Sequence, residues 1–273
     1  MRTLVHLSDL HFGRIDPAII EPLVATIKEI KPHLVAVSGD LTQRARSAEF
    51  KQARAFLDRL PFPQVVVPGN HDVPLHNVFA RFASPFDKYR RWIGDNLEPV
   101  FEDEEMVVMG INTARSLTIK DGRVNRRQIA EMRARLCRYP DAVMKMIVTH
   151  HPFDLPEGAA AGDRVGRARL ALATLAECGA DMFLAGHLHL GHTGKTAMRY
   201  PAGDRNAIIV QAGTATSTRG RGELNSFNVI RIEADNVTVE RLAWQAERAA
   251  FAVASVDRFH NTPAGWERLP LTA

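Results

Sequence analysis

Strand-like and helix-like patterns alternate in the first seventy residues and predict a parallel β-sheet. Short apolar runs at residues 3–7, 34–37 and 64–67 have the length and composition of buried strands. Between these runs, apolar residues recur at the helical spacing over residues 17–31 and 47–60. Strands that alternate with helices predict parallel pairing through right-handed crossovers. We therefore expect an α/β fold.

The remaining pattern predicts more strands and a second sheet. Apolar runs at residues 144–148 and 182–184 are typical of further buried strands. Short strands separated by turns then predict a second, largely antiparallel sheet packed on the first, built from residues 195–199, 207–211, 227–232 and 237–242. The fold class expected from this pattern is α/β, with two packed mixed β-sheets flanked by helices.

The chain is long enough for one large core, and we expect residues 1–245 to form a single domain. Aromatic residues recur through residues 75–98. This segment either caps or walls a site, or it is an ordinary helical connection that packs into the core. Residues 246–273 show no clear period, and this C-terminal tail either packs on the domain or mediates a homodimer.

Composition indicates a globular protein and excludes a disordered or fibrous one. Hydrophobic residues make up 45% of the sequence and charged residues 24%, both close to the averages for globular domains. The sequence contains no apolar run of membrane-span length, and it opens directly on a strand pattern, so we expect a cytoplasmic location. Cys137 and Cys178 lie in separate helical patterns, and we expect two thiols that form neither a disulfide framework nor a zinc site.

Charge adds a preference for anionic ligands. The formal net charge is +4, which suits phosphate-bearing partners in general. The arginine-rich stretches at residues 90–91, 126–127 and 219–221 could hold phosphates, but they lack interleaved aromatic residues. A solvated charged face is therefore the favoured interpretation, and nucleic acid is a weak alternative. Arg115 is a separate candidate for a phosphate contact.

Side chains that can bind metals or transfer protons follow the ends of five predicted strands. Because the carboxyl ends of parallel strands meet at one edge of a sheet, we expect these side chains to converge. In extended backbone, the side chains at positions i and i+2 point to the same face. Asp9 and His11 would therefore point in the same direction, and so would His187 and His189. Each cluster alone is also compatible with turn formation, but their recurrence favours a site. The candidates are Asp9, His11, Asp40, Asn70, His71, Asp72, His150, His187 and His189.

The oxygen and nitrogen ligands in this set, without sulfur, predict a centre for divalent metals. Such a mixture admits Mn, Fe, Zn or Co. Seven ligands exceed the four that one zinc ion usually takes, whereas two ions about 3.5 to 4 Å apart that share a carboxylate would use all seven. We therefore expect a two-metal site. His151 follows a ligand directly and should point to the opposite side of its strand.

Taken together, these motifs resemble those of the calcineurin-like metallophosphoesterases and occur in the same order along the chain. The resemblance covers the sequence to about residue 190. The resemblance implies an αββα sandwich in which one metal binds Asp9, His11, Asp40 and His189, while the other binds Asp40, Asn70, His150 and His187. Asp40 would bridge the two ions. His71 would face the leaving group as a proton donor or transition-state stabiliser, and Asp72 would support the motif. Asn70, His71 and Arg115 would contact the substrate.

Within the family, the sequence is most similar to bacterial cyclic-nucleotide and glycerophosphodiester phosphodiesterases. The resemblance implies hydrolysis of a small phosphodiester, such as cAMP or a glycerophosphodiester, by in-line attack of a metal-bridging hydroxide. A phosphomonoesterase, a nucleotide-lipid pyrophosphatase and a small nuclease are alternatives from the same family. An inactive interaction scaffold is the alternative from another class, but every ligand position is filled.

Overall fold

A computed structural model describes residues 1–75, 77–118, 120–156, 161–196, 205–219 and 222–270. The predicted αββα architecture is confirmed. The strands are β1 Arg2–Leu7, β2 Leu34–Ser38, β3 Gln64–Val67, β4 Val100–Glu102, β5 Met106–Gly110, β6 Met144–Val148, β7 Met182–Ala185, β8 His192–Lys195, β9 Ile208–Gln211, β10 Ser226–Glu233, β11 Asn236–Gln245, β12 Ala250–Thr262 and β13 Gly265–Arg268. The helices are α1 Pro17–Ile30, α2 Ser47–Leu57, α3 Val78–Ala83, α4 Asp87–Trp92, α5 Arg126–Leu136 and α6 Ala168–Ala176.

The two sheets stack through a shared apolar layer, and helices cover their outer faces. The first sheet has the order β13-β12-β11-β10-β1-β2-β3, and the second has the order β4-β5-β6-β7-β9-β8. Val67 from the first sheet and Val108 from the second belong to one buried cluster between them. A second cluster joins the first sheet to α1 and α2, and a third joins the second sheet to α5 and α6.

Two of the helices that cover the sheets, α1 and α5, begin at recognisable capping residues. Asp16 accepts a hydrogen bond from the backbone N–H of Ala18, and Pro17 occupies the first helical position of α1. Asn125 and Gln128 form a capping box at the start of α5. Both signals are local, and the helix predicted over residues 17–31 is confirmed as α1.

The sequence-based assignment of strands to sheets is wrong. The central strands β6 and β7 belong to the second sheet, where they run parallel to β5 and β9. Strands β10 and β11 join the first sheet instead, and β10 pairs antiparallel with β1. The second sheet is therefore mixed and largely parallel, because apolar periodicity marks a buried strand without identifying its partner. Of the strand expected at residues 195–199, residues 197–199 lie outside the described residues.

The two segments of uncertain role are ordered elements of the domain. Most of residues 246–273 form β12 and β13, which extend the first sheet, and the buried Trp266 donates to Asp181 Oδ1 at 2.9 Å. The tail therefore packs on the domain, and a homodimer stays a prediction; residues 271–273 lie outside the described residues. Within residues 75–98, the hydroxyl of the buried Tyr89 donates to the Val66 carbonyl at 2.9 Å, as a core connection would. Residue 76 lies outside the described residues.

Cys137 and Cys178 form a disulfide, so the expectation of two separate thiols is wrong. The cysteines follow the packed helices α5 and α6, and their Cα atoms are 4.6 Å apart. This proximity is created by tertiary packing and has no signature in the spacing of the two residues. Disulfides are typical of oxidising compartments, which does not favour the expected cytoplasmic location. That location stays a prediction. Among the described residues, no helix has both the length and the apolar character needed to span a bilayer.

The disulfide predicts a redox-dependent stability. Its two cysteines are 41 residues apart in sequence, and closing a loop of that length should stabilise the fold by about 4 kcal/mol in the chain-entropy model. Urea unfolding with and without a phosphine reductant measures the difference. Two free thiols in protein unfolded without reductant would contradict the bond, and the double variant C137S/C178S should be insensitive to the reductant.

Candidate metal centre

Five of the seven predicted ligands lie in the left-handed backbone region. The φ angles of Asp9, His11 and Asp40 are 52°, 49° and 53°, and those of His187 and His189 are 73° and 59°. This region is unfavourable for residues other than glycine, and such residues cluster at functional sites. The expectation that extended backbone aligns positions i and i+2 is therefore wrong. The side chains converge because the loops after β1, β2 and β7 contain left-handed residues that redirect the chain.

One group of ligands surrounds a carboxylate oxygen of Asp9. Asp9 Oδ1 lies 3.5 Å from His11 Nε2 and 3.3 Å from His189 Nε2. The other oxygen, Oδ2, accepts hydrogen bonds from Ser8 Oγ at 2.7 Å and from the backbone N–H of His187 at 3.0 Å. These two bonds fix the carboxylate so that Oδ1 faces the imidazoles.

A second group surrounds His150. The Nε2 atom of His150 lies 3.0 Å from Asn70 Oδ1, 3.3 Å from His187 Nδ1 and 3.4 Å from Asp40 Oδ1. Its Nδ1 donates to the Ser38 carbonyl at 2.8 Å, which holds the ring in this orientation. The structure thus brings all seven predicted ligands into two adjoining groups.

Asp40 joins the two groups. Its Oδ1 faces His150, while its Oδ2 lies 3.7 Å from His11 Nε2. The carboxylate is 1% exposed, and Oδ1 also accepts the backbone N–H of His71 at 2.8 Å. A carboxylate with one oxygen toward each group has the orientation that a bridging ligand needs.

The residues fit metal ions because several of their buried polar atoms have no other partner. Asp9 Oδ1 and both ring nitrogens of His11 are buried without a hydrogen bond. Such atoms are costly to bury unless something satisfies them. The potential ligand atoms of Asp9, His11 and His189 lie within 4.8 Å of one another, as do those of Asp9, Asp40 and His150. A divalent cation in each group would satisfy these atoms.

The carboxylates and imidazoles strongly perturb one another. Burial alone would lower the pKa of His150, but the neighbouring Asp40 carboxylate outweighs it and raises this pKa to about 9. Burial and the charge of His150 lower the pKa of His187 to about 3. The pKa of Asp40 lies well below its usual range, because nearby imidazoles outweigh the effect of burial. An imidazole binds a metal only in its unprotonated form, so metal binding must displace the proton from His150.

His151 lies beside the ligands but is fully engaged elsewhere. Its Nδ1 bonds to Thr113 Oγ1 at 2.8 Å, and its Nε2 donates to the Lys120 carbonyl at 2.8 Å. The ring packs 4.6 Å from the ring of His187. His151 therefore supports a neighbouring side chain and has no nitrogen left for a metal.

Asp72 holds two loops of the site together. Its Oδ2 accepts the backbone N–H groups of Leu41 and Gly69 at 3.1 and 2.9 Å, and its Oδ1 accepts the N–H and hydroxyl of Thr42 at 2.9 Å each. Burial, followed by the charge of Asp40, raises the pKa of Asp72 to about 6. Asp72 is buried and outside the cavity lining, so it acts by positioning the loops.

His71 faces the cavity with a defined tautomer. Its Nδ1 lies 2.8 Å from the Gln43 carbonyl, and its Nε2 lies 2.8 Å from Arg219 Nη1. A carbonyl only accepts and a guanidinium only donates, so the hydrogen sits on Nδ1 and Nε2 accepts from Arg219. His71 is therefore neutral in this arrangement and is not one of the grouped ligands.

The cavity above the ligands has a volume of about 460 Å³. Its lining consists of Asp40, Gln43, Arg44, Asn70, His71, Val73, Leu75, Lys120, His187, His189 and Arg219. Leu75 lies in this lining, and a capping or walling role for residues 75–98 stays a prediction. The cavity opens directly onto the two ligand groups.

Arg115 does not belong to this lining. Its guanidinium donates to the carbonyls of Asn112 and Ala114 at 2.9 and 2.8 Å and to Gln128 Oε1 at 2.5 Å. These bonds fasten the start of α5 to the loop after β5. Arg115 therefore stabilises this junction in the structure, and its contact with phosphate stays a prediction.

Sequence reasoning missed two residues that the loop after β9 brings to the site. Thr214 Oγ1 contacts His189 Nδ1 at 2.7 Å and orients that ligand. For Arg219 the sequence favours a solvated charged face over phosphate binding, yet the residue lines the cavity. Their position beyond the end of an apolar strand is the signal that could have identified them.

The sequence model of the calcineurin-like phosphoesterases matches residues 2–191. A probable cyclic nucleotide phosphodiesterase from Synechococcus is 26% identical over 160 residues, which cover 55% of this chain and 58% of that protein. A probable glycerophosphodiester phosphodiesterase from Arcobacter nitrofigilis is 28% identical over 128 residues, covering 46% of this chain and 44% of that protein. The chain thus spans about half the length of these curated relatives.

Solved structures share the fold at low sequence identity. A dimetal phosphatase from Danio rerio superposes with a TM-score of 0.65 at 14% identity, covering 93% of this chain and 98% of that one. A purple acid phosphatase from yellow lupin has a TM-score of 0.71 at 11% identity, covering all of this chain and 57% of that one. These two superpositions show a shared fold.

The close approach of Gly69 to Asp40 predicts that a methyl group there disrupts the centre. A Cβ atom on Gly69 would lie 2.1 Å from Asp40 Oδ1 and 2.3 Å from Asp40 N. We expect Gly69→Ala to displace this carboxylate, to destabilise the protein by about 1–3 kcal/mol, and to lower the bound manganese measured after dialysis. Gly94→Ala is the matched control, because a Cβ there meets nothing within 4 Å. Equal manganese content in both variants would contradict the bridging geometry.

Proposed function

Because the chain belongs to the calcineurin-like phosphoesterase family, we propose that it is a dinuclear metal-dependent phosphodiesterase. The proposal rests on the orientation of Asp40. Each of its two carboxylate oxygens faces a separate group of buried candidate ligands. This arrangement lies at the base of a cavity large enough for a small phosphoester. The names of the two relatives, a cyclic nucleotide and a glycerophosphodiester phosphodiesterase, agree with it.

We assign the ligands as two overlapping sets. Asp9, His11, Asp40 and His189 would hold one ion, and Asp40, Asn70, His150 and His187 would hold the other. When bound, two divalent ions supply Lewis acidity toward the phosphoryl group and a water that is acidic enough to act as a nucleophile. The mixed oxygen and nitrogen set favours Mn, Fe or Zn, with Co also admissible.

The protein groups around the ions would orient the substrate. The Gln43 carbonyl fixes the ring of His71 so that Nε2 faces the cavity. Asp72 joins the loop after β2 to the loop after β3, which carry Asp40 and Asn70. Asn70 and His71 therefore form a pre-oriented wall on which the phosphodiester would rest.

We propose a small phosphodiester as the substrate, either a cyclic nucleotide such as cAMP or a glycerophosphodiester. Two enzyme alternatives, monoester hydrolysis and pyrophosphate hydrolysis, use the same centre. Nucleic acid is a less favoured substrate, and an inactive scaffold is disfavoured because all seven ligands converge. A cytoplasmic location remains part of this proposal.

A substrate panel tests the reaction class. After manganese loading, we expect the highest kcat/KM on diesters, among 3′,5′- and 2′,3′-cyclic nucleotides, glycerophosphodiesters and aryl diesters. The aryl and nucleoside monoesters with matched leaving groups should be at least 10-fold poorer, and single-stranded nucleic acid should be inert. Asp40→Asn serves as the inactive control, because it removes the charge of the shared ligand. Preference for the monoester of a matched pair would contradict the diesterase assignment.

A further inference from the structure

We propose that Arg219 binds the anionic phosphodiester and that His71 is the positioning residue that holds its guanidinium. The inference rests on the proposed function, since it concerns how the same cavity takes its substrate. It assigns a role to a residue outside the region matched by the family model, which ends at residue 191. The chemical class of the ligand is a phosphate ester with at least one non-bridging anionic oxygen.

The contact between Arg219 and His71 leaves most of the guanidinium available. Arg219 Nη1 donates to His71 Nε2 at 2.8 Å, and a guanidinium carries five N–H donors. Within the described part of the chain, no carboxylate forms an ion pair with Arg219, and its guanidinium contacts the imidazole of His71. A half-buried guanidinium of this kind is suited to bidentate binding of a phosphate.

The other cations of the cavity differ from Arg219 in this respect. Lys120 already forms an ion pair with Asp163. Arg44 is exposed to solvent, where an ion contributes less to binding. Arg219 therefore combines partial burial, a charge without a carboxylate partner among the described residues, and a position in the lining of the site.

The backbone that carries Arg219 is fixed to the segment that carries Asp9 and His11. Thr216 Oγ1 donates to the Leu10 carbonyl at 2.6 Å, and the backbone N–H of Thr218 donates to the Arg14 carbonyl at 3.1 Å. The N–H of Arg219 itself donates to Ser217 Oγ at 3.0 Å. The backbone of Arg219 is therefore fixed relative to the candidate ligands before substrate binds. This lowers the conformational entropy that is lost when the guanidinium binds the phosphate.

The tautomer of His71 explains its part in the arrangement. With its hydrogen on Nδ1 toward Gln43, the Nε2 lone pair accepts from Arg219 and orients the guanidinium into the cavity. His71 then contributes an acceptor of fixed direction, and Arg219 contributes the positive charge that meets the phosphate. This differs from the proton-donor role that the family resemblance implies for His71.

Binding of inorganic phosphate to the manganese-loaded protein tests Arg219 without relying on turnover. By calorimetry, we expect Arg219→Gln to weaken phosphate binding by about 10- to 100-fold and Arg219→Lys to weaken it less. Arg14→Gln is the matched control, because it removes the same charge from an exposed residue of the adjoining segment outside the cavity lining. Its phosphate affinity should match the wild type. Equal affinities for the wild type and Arg219→Gln would overturn the proposal.

Kinetics with bis(p-nitrophenyl) phosphate test the pair. We expect Arg219→Ala to lose about 10- to 100-fold in kcat/KM and to recover part of it when guanidinium ion is added, a rescue that ammonium should not reproduce. His71→Gln, which keeps an acceptor for Arg219, should retain more phosphate affinity than His71→Ala. Absence of guanidinium rescue, or equal affinities of the two His71 variants, would contradict the assigned roles.

The outcomes separate this inference from the proposed function. An active wild type with unchanged Arg219 variants would overturn the inference alone. A wild type that hydrolyses no diester, but whose phosphate affinity falls in Arg219→Gln, would overturn the proposed reaction and support an anion site at Arg219. Unchanged thermal stability and manganese content in Arg219→Gln are required for either conclusion.

Discussion

The site depends on one shared carboxylate, that of Asp40. Its two oxygens point in different directions, toward His11 in one ligand group and toward His150 in the other. The surrounding chain is built to hold this orientation. The His71 N–H binds Oδ1 directly, and Gly69 lacks the Cβ atom that would occupy the same space. If the carboxylate rotated, the two groups would lose their common ligand.

This arrangement costs stability in the absence of ions. Buried atoms of Asp9 and His11 lack hydrogen-bond partners, and the ligand-bearing turns use left-handed backbone at residues other than glycine. The two stacked sheets and their three apolar clusters provide the rigid frame that imposes these conformations. The backbone strain is located at the candidate ligands, and the surrounding core is ordinary. This pattern is expected of a metal site that is formed before the metal binds.

The candidate ligands could be identified from the sequence, whereas their geometry could not. Asp40 and His150 stand out because polar residues interrupt the chain where apolar strands end, and that signal is local. The left-handed turns, the assignment of β10 to the first sheet and the disulfide between Cys137 and Cys178 all arise from contacts between distant segments. The position of Arg219 in the cavity lining depends on such contacts as well. An arginine that lines a cavity has the same local sequence pattern as one on a charged surface.

Electron paramagnetic resonance of the manganese-loaded protein tests the shared carboxylate most directly. Two Mn²⁺ ions joined through Asp40 should be spin-coupled, and the wild type should give the broadened spectrum of a coupled pair. In Asp40→Asn, the coupled signal should disappear and leave, at most, the signal of isolated ions. A wild-type spectrum of isolated Mn²⁺ at saturating metal, indistinguishable from that of Asp40→Asn, would contradict the two-metal centre.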